Sequence, residues 1–377
     1  MGDRITSIDT VRALAMVAIV AIHAEPFAGL GWLGNAAHFT IDTFGRFAVP
    51  FFFLTAGYLF ARKLADVEAG THARAYISSV GSIYVFGVVL YVPFVLLEAA
   101  GRARLDGGSP TVAVVDRATR VVAPHELLYY GTSVIAMLWF LTALMVSIAV
   151  VYLFESRGAR RYLLPTAAGL HVVGIVGENY PMLVSVPVPT RDALFFGFFY
   201  TALGFWFASR SFRVRAAHRP LLVAGLVFGS VLSIAERYVV GYVAGDASLA
   251  STVYTAEYSV GTVVVAVSLF WLVLATPQLG ASTRLPEVGR YAVGIYVLHP
   301  LLLFSLVAAA EVLALYGLSL QGLILWHLLL TPIAFVGSYV AYRELARRGI
   351  VDPGGSHLPP IERIRPSALL GRFSPPS

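Results

Sequence analysis

His23 stands eleven residues after Arg12, directly behind ten uninterrupted apolar residues, Ala13 to Ile22. At about 1.5 Å per helical residue it lies roughly 16 Å beyond Arg12, about halfway through a hydrocarbon core of roughly 30 Å. An ionisable side chain at that depth is costly and by default marks a functional site. Imidazole titrates near neutral pH, so a buried, oriented histidine can serve as general base toward a hydroxyl acceptor. The plainer alternative is a histidine hydrogen-bonded to a neighbouring helix for packing. Glu25 follows just before Pro26. It either orients the imidazole or marks the outer end of the span.

Asp9 and Arg12 sit one turn apart at the near end of the same helix. Such an i,i+3 ion pair is ordinarily a modest helix-end feature. Arginine is also the best clamp for phosphate, so contact with a phosphate-bearing donor is the other reading. His299 follows Arg290 by nine residues and precedes Pro300, placing a second histidine about 14 Å into the membrane. His171 and His327 have no distinctive neighbours and read as structural. Arg46 is an intramembrane arginine four residues after Asp42, a spacing that suits an ion pair. It enters from the outer side, so it is equally placed to meet an acceptor arriving there.

The elements that must carry these groups are membrane helices. The chain is 377 residues long, 58% hydrophobic and only 13% charged, with a mean hydropathy of +0.77. Soluble domains have about a quarter of their residues charged, so the composition specifies an all-α integral membrane protein. Ten spans are expected, at about 12–33, 39–61, 76–98, 133–154, 162–177, 192–208, 219–241, 257–276, 290–315 and 322–342. The 99–132 connection reads as a long loop. Residues 346–377 read as a Pro/Arg-rich tail without the apolar content for a core. No cleavable leader is expected, because the first apolar run is long enough to span and lacks an Ala-x-Ala site.

Basic residues set the orientation. Nineteen fall on the side of the N-terminus and C-terminal tail, against six on the other. The positive-inside rule then puts both termini in the cytoplasm, and the cell membrane is the expected location. The same distribution argues against nucleic acid as a partner despite a pI near 9.5, since the basic residues flank spans instead of forming one patch. With no cysteine there is no disulfide framework or thiolate site, and no metal is expected.

Four stretches, in order, resemble acyltransferase family 3, the integral-membrane O-acyltransferases that modify cell-surface glycans and related molecules. They are Ile8-Asp9 to Arg12 with His23; Val49-Pro50-Phe51 through Leu59; Leu138-Trp139-Phe140-Leu141; and Val288-Gly289-Arg290-Tyr291 through Tyr296 to His299-Pro300. The similarity runs over roughly residues 1–345. It implies transfer of an acyl group, usually acetyl, from cytoplasmic acyl-CoA to the hydroxyl of a glycan or similar acceptor. It makes His23 the essential histidine and Arg12 its nearby arginine. His23 and Glu25 are the candidate catalytic residues, and Asp9, Arg12, Arg46, Arg74, Trp139, Tyr296 and His299 the candidate donor- or substrate-binding positions. The family's Arg-x-x-Arg pair before the third span is reduced here to Arg74, and its fused hydrolase-like domain is not expected in these residues. The competing reading is a transporter with His23, Arg46 and His299 along the path. Prolines interrupt several spans, as in many transporters, but no repeat relates them.

Overall fold

Helix formation begins before Arg12, because Thr6 to Val11 already supply the alternating apolar and small residues that a packed helix end requires. The computed structural model describes residues 5–64, 66–184, 186–210, 214–253 and 256–352. In it, α1 spans Thr6–Ala24. The span expected over 12–33 is therefore displaced. Pro26 offers no N–H and disfavours helical geometry in the residue before it; Glu25 turns left-handed at φ +47° and Phe27 at +65°. His23 thus occupies the last turn of α1, roughly 26 Å from its start and not halfway along it.

The turn is fastened from the far end of the sequence. The Phe27 N–H donates to His327 Nδ1 at 2.9 Å, and His327 Nε2 donates to the Gln321 carbonyl at 3.0 Å. Positive φ at a bulky residue is uncommon, and here a buried histidine holds it.

Next come α2 (Gly31–Gly45) and α3 (Ala48–Lys63), parted by a short break at Arg46 and Phe47. Together they form one 33-residue apolar stretch, longer than the 39–61 span expected. The following helix, α4 (Ala69–Leu105), runs through Pro93 and well past residue 98. The 99–132 connection is accordingly not one loop. A Glu98–Arg102 i,i+4 pair at 2.6 Å supports the end of α4, and Pro110 opens a further helix, α5 (Pro110–Val121), at its first turn. Arg117 ties α5 down by donating to the carbonyls of Ser133 at 2.9 Å and Val134 at 2.7 Å.

The remaining helices are α6 (Trp139–Ser156), α7 (Arg160–Asn179), α8 (Phe198–Ser209), α9 (Arg219–Tyr238), α10 (Val260–Ala275), the short α11 (Leu285–Arg290), α12 (Ala292–Leu315) and α13 (Ile324–Arg347). No strand occurs among the described residues. Seven helices are long and apolar enough to cross a membrane, while Ala193–Ser209 and Val260–Ala275 are apolar but shorter. The protein is thus a multi-pass, all-helical membrane protein. Of the expected tail, α13 takes residues through Arg347, and residues 353–377 lie outside the described residues. So do Arg4, Arg213, Arg363, Arg365 and Arg372, which contributed to the charge asymmetry.

Close helix contact is what centres the bundle. The widest interface joins α3 to α8, and glycine makes it possible. A Cβ on Gly57 would stand 1.9 Å from the Thr201 carbonyl oxygen, and one on Gly204 would stand 2.0 Å from that of Leu54. Small residues that let backbones touch are the main packing device where lipid removes any hydrophobic drive. Around this crossing lie Phe51, Phe53, Phe60 and Phe205, each 1% exposed or less.

Candidate functional site

Ending α1 at Ala24 opens a space beyond it. A cavity of about 310 Å³ is walled by His23 and Glu25 from α1 and its turn, His38, Asp42 and Arg46 from α2, and Arg191, Thr252 and Glu257 from two connections. This falls within the range of small-ligand sites. His23 is exposed only in this sense: its imidazole faces the cavity while the helix around it is packed. Glu25 also faces the cavity, and no hydrogen bond joins it to His23 among the described residues.

Arg46 organises the opposite wall. Its guanidinium donates to Asp42 through Nε at 3.1 Å and Nη2 at 2.9 Å, and its Nη1 lies 2.6 Å from Glu257. Arg191 reaches the same Glu257 at 3.5 Å and lies over the Trp139 ring at 5.7 Å. Glu257 thus meets two guanidiniums, those of Arg46 and Arg191. The wall is therefore a chain of alternating charges whose members already satisfy one another. The Asp42 pairing suggested by spacing is present, but it is half of the arrangement.

Behind His23 lies the second histidine. The rings of His23 and His299 stack with centroids 5.4 Å apart and planes 26° apart. His299 is fully buried, and its Nδ1 donates to the Ile295 carbonyl at 3.2 Å. Tyr296, one turn earlier on α12, lies 5.9 Å from the His299 ring and also walls a narrow apolar slot. That slot runs beside α1, between Met16 and Ile19 on one side and Phe52 and Phe140 on the other. Arg12 lies near the same Phe52, its guanidinium carbon 6.0 Å from the ring centre.

At this Arg12 end, Arg12 approaches Asp9 at 3.5 Å, a loose pair, and its buried Nε has no hydrogen-bond partner. Asp9 is fixed by its backbone: a Cβ on Gly289 of α11 would stand 1.8 Å from the Asp9 carbonyl oxygen. Arg74 is exposed in the second turn of α4. Asp9, Arg12 and Arg74 are thus apart from the cavity, while Arg46 lines it, His299 stacks on His23 with Tyr296 beside it, and Trp139 lies under Arg191.

Arg191, Glu257 and His38 belong to the cavity and were not singled out in the sequence. Arg191 was counted only for topology. Glu257 carried the one available signal, an acid at the start of an apolar span just before Tyr258-Ser259.

Comparison with known proteins identifies the family. Residues 5–343 match the acyltransferase domain of acyltransferase family 3. An amino-acid racemase of Enterococcus faecalis is 24% identical over 250 residues, which is 62% of this chain and 32% of that protein. A serine/alanine racemase of Enterococcus gallinarum is 24% identical over 213 residues, 52% of this chain and 28% of its own length. The match thus spans about a third of the length of these curated relatives. No solved structure matches. With the family's domain covering residues 5–343 and nearly all the described helices, the chain belongs to acyltransferase family 3 and is a membrane acyltransferase.

Proposed function

We propose that the protein moves an acyl group, usually acetyl, from cytoplasmic acyl-CoA to a hydroxyl of a glycan or similar acceptor beyond the membrane, with His23 as general base. The observation that carries this reading is the position of His23, which faces a cavity of about 310 Å³ at the end of α1, with Arg12 about three turns back on the same helix. Charge asymmetry makes the Arg12 end cytoplasmic, and ten crossings follow if α7 and the two shorter apolar helices also span. Arg12 then meets a phosphate of the donor, and the acceptor enters the cavity.

In the transfer, the acceptor oxygen attacks the thioester carbon as His23 takes its proton. The new C–O bond forms and the carbonyl pair moves onto oxygen. Collapse breaks the C–S bond, and the thiolate leaves with that pair and takes the proton back from His23. The Asp42–Arg46–Glu257–Arg191 chain holds the acceptor cavity in shape, and Glu25 lends it a carboxylate. Radiolabelled acetyl transfer and thiol release by purified protein in lipid nanodiscs test the reading, with His23→Gln as the decisive variant. Wild-type turnover by His23→Gln removes His23 as base.

One observation favours a second reading. The relatives are amino-acid racemases by name, and a cavity with both carboxylates and guanidiniums suits a small zwitterion. In that case His23, Arg46 and His299 line a path for an amino acid. Uptake of labelled serine into proteoliposomes without any acyl-CoA consumption would select it.

A further inference from the structure

Besides its two histidines, the cavity beyond α1 is lined by three carboxylates, those of Glu25, Asp42 and Glu257, and two guanidiniums, those of Arg46 and Arg191. Asp42 and Glu257 are engaged by Arg46, and Glu257 also by Arg191. Among the described residues no hydrogen bond or ion pair holds the Glu25 side chain, which is exposed to the cavity. The site thus carries one carboxylate in excess, and it is the one left open to a ligand.

The backbone beneath this carboxylate is not one that glutamate favours. Glu25 closes α1 in the left-handed region, at φ 47° and ψ 52°, with its N–H bonded to the Ala21 carbonyl at 3.1 Å. Glycine is the usual residue at such a helix end, because a Cβ crowds this conformation. Glutamate gives the turn nothing that glycine would not, yet it brings a negative charge to the cavity.

The rest of the lining says which cation suits that charge. Among the described residues no group of three or more His, Asp or Glu could hold a metal ion. Much of the wall is instead apolar, with Ile22, Phe39, Tyr242 and Val253 facing the same space. Phe39 and Tyr242 meet edge to face, ring centres 5.5 Å apart and planes at 84°. Aromatic rings beside an unpaired carboxylate suit an ammonium carried on carbon, which is drawn to both. A volume of about 310 Å³ admits a small organic molecule and not only an ion.

We infer that the cavity takes a ligand bearing an ammonium group, with Glu25 as its counter-ion and Phe39 and Tyr242 as its aromatic wall. The inference rests on the acyl-transfer reading above only in making that ligand the acceptor. Its ammonium then meets Glu25 while its hydroxyl faces His23, two residues earlier on the same helix end. Glu25 is a specificity-determining residue: it selects the hydroxyl compound and moves no proton.

The test uses full-length protein in galactolipid nanodiscs, whose headgroups are uncharged. Choline and neohexyl alcohol share one shape and one hydroxyl, but in the second a carbon replaces the charged nitrogen. With acetyl-CoA as donor, thiol release should favour choline in kcat/KM by about tenfold, and the preference should shrink at high salt. Binding of labelled choline, measured without donor, should weaken about tenfold in Glu25→Gln. Glu25→Gly suits the left-handed backbone, so it should weaken choline binding equally with no loss of melting temperature. Equal use of the two alcohols overturns the inference, as does choline binding in both variants that matches wild type. Charge-dependent choline binding without thiol release from any acceptor removes the acyl-CoA reading and leaves the cation site standing.

Discussion

His23 of α1 and His299 of α12 lie face to face, 5.4 Å between ring centres, though they come from near opposite ends of the chain. The stack leaves the edge of His23 to the cavity and keeps His299 fully buried. If His23 is the base, His23→Gln keeps a hydrogen-bonding side chain without basicity. Transfer should fall by about two to four orders of magnitude, with the yield of monodisperse protein unchanged, as checked by thiol release and size-exclusion chromatography.

Arg12 should act through the donor. Arg12→Lys keeps charge but loses the bidentate fork, so the KM for acetyl-CoA should rise several-fold, and Arg12→Ala should raise it further. Arg74→Ala should be milder. A cycle of Asp9→Asn and Arg12→Gln, run at varied acetyl-CoA, separates donor contact from a helix-end ion pair. Effects that are both small and insensitive to donor concentration would confine Arg12 to structure.

The buried charge chain should be a point of high cost. Arg46→Met leaves Asp42 and Glu257 without their shared partner, and losing one member of a buried pair costs about 3–5 kcal/mol. A large drop in melting temperature is expected. Glu257→Gln should be milder, because Asp42 still holds Arg46 through two hydrogen bonds.

Orientation can be read directly, since the chain has no native cysteine. A single cysteine at Ser109, before α5, should label with an impermeant reagent in intact cells. One at Gly158, between α6 and α7, should label only after permeabilisation. The reverse pattern inverts the topology.

How much of this was legible in the residues depended on the kind of signal. Apolar runs located the spanning helices, and the α1 and α12 motifs pointed to His23 and His299. Ends were harder. Arg12 looked like the start of a span because charge usually marks an interface, yet its helix begins at Thr6 and packs Ile8 and Val11 inside. Pro26 was visible, but a turn with φ +65° at Phe27 depends on His327, a contact no local pattern encodes. Arg191 was not legible as a site residue and Glu257 only weakly so, for the same reason. Glu257 meets Arg46, and Arg191 meets Glu257, only when separate segments come together.

Phe27 and His327 carry a consequence for how the protein is made. Synthesis runs from α1 toward α13, so the imidazole of His23 enters the membrane long before its stacking partner in α12. The clip that shapes its turn, in α13, comes later still. A nascent chain therefore holds a bare histidine in an unfastened helix end until nearly the whole bundle has been inserted. α13 thus finishes the work of α1.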